Sequence, residues 1–131
     1  MRLLLPILIL AAGGASAAEP ITGRWVTENG RAVVTVAPCG PALCGRISRI
    51  LVPGQAPPDT RNPDPKLRAR PMLGLPILTG FTDAGKDWRG RIYDPESGKS
   101  YKSIVARDTN GLKVRGCIAI FCQTQRWKPA G

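Results

Sequence analysis

Four cysteines form two identical Cys-x4-Cys pairs, Cys39 with Cys44 and Cys117 with Cys122, and runs that read as strands flank each pair on both sides. Residues 31–37 alternate and are rich in Val and Thr, and residues 46–52 resume the pattern. Residues 112–116 and 123–127 flank the second pair in the same way. A four-residue loop between two strands is a hairpin. In its facing, non-hydrogen-bonded position the Cα atoms lie about 4.5 to 5.5 Å apart, a separation that a disulfide accepts. The expected bridges are therefore Cys39–Cys44 and Cys117–Cys122. Loop entropy alone favours the opposite choice, since so small a ring contributes about 2 kcal/mol and a long-range bridge more than about 4. Hairpin closure costs little entropy, whereas long-range pairing needs a particular tertiary match, so local geometry decides. Four thiolates at this spacing also permit a zinc site, but an exported chain oxidises such cysteines and the sequence has no histidine to help, so no metal is expected. A thioredoxin-like centre needs Cys-x-x-Cys, which is absent.

The beginning of the chain reads as an export signal: Arg2, an apolar run over residues 3–12, and the small-residue stretch Ala15-Ser16-Ala17. Cleavage is expected after Ala17 or Ala18, which makes residues 1–18 a signal peptide and 19–131 a single domain. About ten apolar residues, interrupted by Pro6 and Gly13-Gly14, fall short of the roughly 20 that span a bilayer. No cysteine follows the small residues to carry a lipid, and no later run is long enough to span. The expectation is a soluble periplasmic or secreted protein that is not membrane-spanning. Removing Arg2 from the 19 Lys and Arg leaves 18, against 9 Asp and Glu. That surplus favours an anionic envelope component as partner. The cations are spread along the chain with little aromatic interleaving, so no nucleic acid is expected.

Further strands are read at residues 23–27, 76–81, 88–93, 99–106 and 112–117, with turns at Glu28-Asn29-Gly30, at 82–87, at 94–98 and at 107–111. Short strands with turns about every ten residues indicate an antiparallel sandwich or barrel, and the unbroken run of hairpins favours an up-and-down barrel. One segment breaks the rhythm. Six prolines (Pro53, Pro57, Pro58, Pro63, Pro65, Pro71) alternate with polar residues in a long loop. Asn62-Pro63 fits a helix N-cap with proline at the first helical position, so residues 63–69 are expected to form a short helix. It would display Arg68 and Arg70 near Asp59 and Asn62. Two roles are open to these four: pinning the loop to the barrel, or binding a ligand.

Gly23-Arg24-Trp25, Leu43-Cys44-Gly45-Arg46-Ile47, Asp59 with Asn62-Pro63, and Leu67-Arg68-Ala69-Arg70-Pro71 stand in order. Gly74-Leu75, Trp88-Arg89-Gly90-Arg91-Ile92-Tyr93-Asp94-Pro95, Gly98-Lys99-Ser100-Tyr101, Arg115-Gly116-Cys117 and Gln125-Arg126-Trp127 complete the series. This pattern resembles the exported bacterial family catalogued as domain of unknown function 2147, across essentially the whole mature chain. The resemblance implies a small exported protein with a lipocalin-like β-barrel, and it carries no catalytic or ligand residues. The Gly-x-Trp opening and the late Arg126-Trp127 also resemble lipocalins, in which a late arginine stacks over the opening tryptophan at the closed end. Trp25 with Arg126 is the expected pair, a contact worth about 0.5 to 2 kcal/mol.

Without histidine, mechanisms that rely on imidazole are excluded. The carboxylates fall mostly in turns, and no Gly-rich loop between strand and helix cradles a phosphate. The expected protein is not an enzyme, has no catalytic residue and needs no cofactor. Two functions remain. In the first, the barrel mouth binds a small apolar or amphipathic molecule, with the Pro-rich loop as lid and Trp88, Tyr93 and Tyr101 lining the entry. In the second, the barrel is solid and its surface meets an envelope partner, with Ile118, Ile120 and Phe121 as an exposed tip. The same tip residues have a third option, folding back to plug the barrel end.

Overall fold

The computed structural model describes residues 2–7 and 17–131. The Ala15-Ser16 half of the small-residue stretch, and the end of the apolar run, lie outside the described residues. Eight strands close into one antiparallel up-and-down barrel: β1 (Gly23–Val26), β2 (Ala32–Cys39), β3 (Ala42–Ile50), β4 (Pro76–Asp83), β5 (Trp88–Asp94), β6 (Lys99–Asp108), β7 (Gly111–Ile118) and β8 (Phe121–Pro129). Each strand pairs with its neighbour in sequence, and β8 returns to β1. The turns after β1, β3, β5 and β7 therefore gather at one end, the mouth. The turns after β2, β4 and β6 gather at the other, closed end.

Both bridges form as the spacing predicts, Cys39–Cys44 and Cys117–Cys122. The hairpins are tighter than expected. The strands run on through the cysteines, leaving two-residue turns at Gly40-Pro41 and Ala119-Ile120. In the second hairpin Cys117 faces Cys122, with Cα atoms 4.0 Å apart. In the first, Cys39 faces Ala42 and Cys44 faces Ala37, so that bridge runs diagonally, with 5.7 Å between Cα atoms.

The closed half of the barrel is filled. Val34, Leu78, Phe81, Val105, Leu112 and Val114 are all at most 1% exposed. Two glycines let these side chains meet across the interior. A Cβ at Gly90 would stand 2.7 Å from the Phe81 ring, and one at Gly45 would stand 2.9 Å from Val34.

The stacking partner expected for Trp25 is corrected by strand parity. Inward positions on β6 are the odd ones, ending with Val105 and Arg107, and the Arg107 guanidinium lies 4.9 Å from the Trp25 ring centroid. On β8 the buried Trp127 points inward, so its neighbour Arg126 points outward. There it pairs with Asp108, while its backbone N–H donates to the Glu28 carboxylate at 2.6 Å. Trp25 does close the barrel end: it is 3% exposed and its indole N–H donates to the Ile21 carbonyl at 3.0 Å.

The helix in the long loop starts two residues later than the Asn62-Pro63 signal suggests. A single 3-10 turn spans Pro65–Leu67, with Asp64 as its cap and Pro65 at its start. The Asn62 side-chain oxygen does accept from the Asp64 N–H at 2.9 Å, as a cap would, but the helical turn begins only after Asp64-Pro65 repeats the same chemistry two residues on, with the Lys66 N–H donating to Asp64 at 3.0 Å.

Candidate functional site

Loop residues 51–75 cross the mouth, and a buried carboxylate fixes them there. Asp59 is 0% exposed. It accepts from the Tyr93 hydroxyl at 2.6 Å, the Asn62 amide at 2.8 Å and the Arg70 guanidinium at 3.1 Å. Its own N–H donates to the Arg70 carbonyl at 2.9 Å, so the outgoing and returning limbs of the loop meet at this residue. Burial pushes the Asp59 carboxyl up, but the bonds from Tyr93, Asn62 and Arg70, with the Arg70 charge, outweigh it and bring the group below its ordinary value. Burial and the adjacent Asp59 push the Tyr93 phenol up to about 12. Arg68 donates to the Asn62 carbonyl at 2.8 Å, and Arg61 reaches the Glu96 carbonyl at 2.7 Å. The loop also lies flat on the β5–β6 turn, because Gly98, at φ 72°, has no Cβ to strike the Arg61 carbonyl.

Beneath this strap the mouth of the barrel holds an open concavity. A cavity of about 620 Å³ has inner walls of Val34, Ile47, Ile77, Ile92 and Trp127, roofed by Ile50, Val52, Pro57, Pro58 and Met72. Its rim is polar, with Asn29, Arg31, Thr60, Arg61 and Glu96. Arg31, on the β1–β2 turn, and Glu96, on the β5–β6 turn, approach to 3.5 Å. A second concavity of about 280 Å³ adjoins it, sharing Ile92, Asp94 and Gln125, and is lined by Tyr101, Gly116, Ile118, Phe121 and Gln123.

The wall has a notch on this side. β1 meets β8 only at Trp25–Pro129 and Val26–Lys128, so residues 121–126 of β8 have no strand on that flank and are exposed. Gln123 and Gln125 share the inward face of Trp127, yet they reach solvent through the notch.

The structure distributes the residues expected to bind a ligand over three places. Tyr93 lines the larger cavity and Tyr101 the smaller. Trp88 does not reach either: it stands at the start of β5, at the closed end, where its indole N–H donates to the Glu19 carbonyl at 2.9 Å. Asp59, Asn62, Arg68 and Arg70 line neither cavity, and their hydrogen bonds go to one another, to Tyr93 and to the loop backbone, with the Arg70 Nε buried and unpartnered. Of the two roles open to them, their geometry is that of the anchor. The tip does not fold back. Ile118, Ile120 and Phe121 are 65%, 88% and 75% exposed.

Sequence reasoning missed the aliphatic wall and the rim pair Arg31–Glu96. Alternation in β2 and β3 marks Val34 and Ile47 as inward but does not show where filling stops.

Residues 23–129 match the family described as "Uncharacterized protein conserved in bacteria (DUF2147)". The chain belongs to this family. A solved structure described as protein HP1028 from the human pathogen Helicobacter pylori, belonging to the lipocalin family, is similar to it. The two are 24% identical, with a TM-score of 0.76 over 86% of this chain and 84% of that one. At that identity the likeness speaks for the fold, an eight-stranded lipocalin-like barrel. A comparison with curated proteins finds no match. No described helix of this DUF2147 chain is long and apolar enough to cross a membrane.

Proposed function

We propose that this DUF2147 protein is an exported, non-enzymatic binder that holds a small apolar or amphipathic molecule in the upper half of its barrel. The observation that carries the reading is the cavity of about 620 Å³ with aliphatic walls and a polar rim. Its volume falls within the range of about 300 to 1,000 Å³ typical of ligand sites. An apolar body would replace water against Ile47, Ile77 and Ile92, and a polar end would remain at the rim. Two oxidised cysteine pairs in a bacterial family fit an oxidising compartment. Native mass spectrometry of protein purified from its own host, with titration by the neutral probe N-phenyl-1-naphthylamine, tests the reading. Retained ligand or saturable probe uptake, lost in Ile50→Trp, is the expected result. Linear, unsaturable uptake and no retained mass would sink it.

A second reading rests on the outer wall beside the tip. Arg91 stands opposite Lys102. Like charges facing each other across strands repel, and an anionic surface relieves that repulsion. Lys102 is also in register with Cys117, directly below the exposed apolar turn. Sedimentation with phosphatidylglycerol vesicles but not phosphatidylcholine vesicles, weakened by salt and abolished in Ile120→Ser, Phe121→Ser, is the outcome this reading requires.

A further inference from the structure

The backbone nitrogen of Ala18 lies 3.1 and 3.2 Å from the two carboxylate oxygens of Asp83. One peptide N–H has a single proton to divide between them. An α-ammonium has three donors and satisfies both oxygens at once. The neighbouring exposure changes at the same point: Ala17 is exposed, whereas Ala18 is 8% exposed.

From Ala18 onward the chain is built into the closed end. Three successive carbonyls each accept from a barrel side chain: Glu19 from Trp88 at 2.9 Å, Pro20 from Arg107 at 3.3 Å and Ile21 from Trp25 at 3.0 Å. Ile21 itself is 0% exposed. Leu3, Leu4, Leu5 and Ile7 are between 82% and 95% exposed. Asp83, at the end of β4, is oriented by the Gly85 N–H at 2.7 Å.

We infer that Ala18 is the first residue of the working protein and that its α-ammonium, created by processing, docks on Asp83 to lock the closed end of the barrel. The inference rests on the export reading and selects one of the two cleavage positions that the small-residue stretch allows. A peptidase of the export route adds water across the Ala17–Ala18 bond. Ala17 keeps the new carboxylate and leaves with the leader, and the Ala18 amine takes up a proton. The ammonium so formed lies where the structure already places the nitrogen. Cleavage one residue later would remove that nitrogen and leave Asp83 with the Gly85 N–H alone among these two donors.

The charged side chains on neighbouring elements are Glu19 next in the chain, Lys86 and Asp87 in the β4–β5 turn, and Arg107 on β6. Asp87 is held by Arg89, and Arg107 lies over Trp25 and reaches the Pro20 carbonyl. An α-amino group ordinarily titrates near 7.7 to 8.0, and pairing with Asp83 raises that value in the folded state. Its contribution is therefore complete below about pH 7.7 and is lost as pH rises through the higher folded value.

The experiment expresses the full chain in a bacterial host, isolates the exported product and determines its intact mass and N-terminal residue. Ala18 is expected. A first residue of Glu19 overturns this inference and leaves export intact, whereas recovery of the uncleaved chain overturns both. Asp83→Asn is then compared with wild type. At pH 6.5 the variant is expected to melt a few degrees lower, with the gap closing by pH 9.5, and its terminal amine to acylate several-fold faster near neutrality. An equal gap at both pH values, with unchanged acylation, would show that Asp83 only caps its turn through Gly85, and the inference would be wrong.

Discussion

The Tyr93 hydroxyl donates to the Asp59 carboxylate at 2.6 Å, and this contact joins the long proline-rich loop to the barrel wall. Tyr93 belongs to β5 and lines the cavity, while Asp59 lies wholly inside the loop. The group that anchors the roof thus touches a group that forms the chamber below it. Anything that weakens the pair loosens the roof as well as the fold.

Replacing Asp59 by Asn removes the charge that Arg70 and Tyr93 address. The pair with Arg70 is half buried, with side chains 32% and 0% exposed, so the loss lies at about 2 to 3 kcal/mol, below that of a fully enclosed pair. The Asp59 carboxyl is depressed in the folded state. Its contribution is present above the unfolded value near 3.9 and is lost as pH falls below it. Thermal melts from pH 6 to pH 2.5 should show the wild type converging on Asp59→Asn at the acid end. Parallel curves would contradict the assignment.

Tyr93→Phe tests the same contact from the other side. Loss of a hydrogen bond to a charged acceptor costs about 1.5 to 3 kcal/mol. Because the phenol is pushed up to about 12, its contribution is complete below pH 10 and declines as pH rises from there. Urea titrations at pH 8 and pH 11 should therefore show a smaller wild-type advantage at the higher pH. The double variant Asp59→Asn, Tyr93→Phe should lose less than the sum of the two, since both act on one contact.

Much of this fold is legible in the sequence, because the signals are local. Turn residues at regular intervals mark the hairpins, and the cysteine spacing gives both bridges. The Trp25 partner was legible too, but only by counting parity: Arg107 is two residues beyond the inward Val105, whereas Arg126 adjoins the inward Trp127. The cavity was not legible. Whether Val34 and Ile47 meet a side chain or empty space depends on residues from five strands and a loop, which no single stretch of sequence records. The anchoring role of Asp59 was half visible, since Asn62, Arg68 and Arg70 cluster around it, but Tyr93, 34 residues away, could not be named as its partner.

Gly90 tests how the closed half is filled. Gly90→Ala would set a Cβ 2.6 Å from the Thr79 carbonyl and 2.7 Å from the Phe81 ring. A new rotamer for Phe81 relieves only the second clash, so the β4–β5 backbone must also shift to relieve the first. Overpacking of this kind costs about 1 to 3 kcal/mol. Chemical denaturation should read that loss, while probe uptake by the cavity at the opposite end stays within twofold. A collapse of probe uptake in a still-folded variant would mean that the two halves do not pack independently.

Ala119 is a different sort of test, because its strain is visible in the backbone. Among the described residues it is the one outside glycine with a positive φ, at 52°. A left-handed alanine costs about 1 kcal/mol or somewhat more, and it persists only where its surroundings impose it. Here the surroundings are a two-residue turn with Cys117 bridged to Cys122 immediately below. Replacing both cysteines by Ser removes the staple and should cost about 2 kcal/mol. Adding Ala119→Gly to that variant should return roughly half of the loss, since glycine takes the left-handed conformation freely. In the bridged protein the same substitution should also stabilise, and by at least as much, because the staple already restricts the unfolded chain and so limits the extra entropy that glycine loses on folding. Equilibrium unfolding of the four proteins forms a cycle. If Ala119→Gly destabilises both backgrounds, the turn prefers its alanine, and the staple is not what holds it.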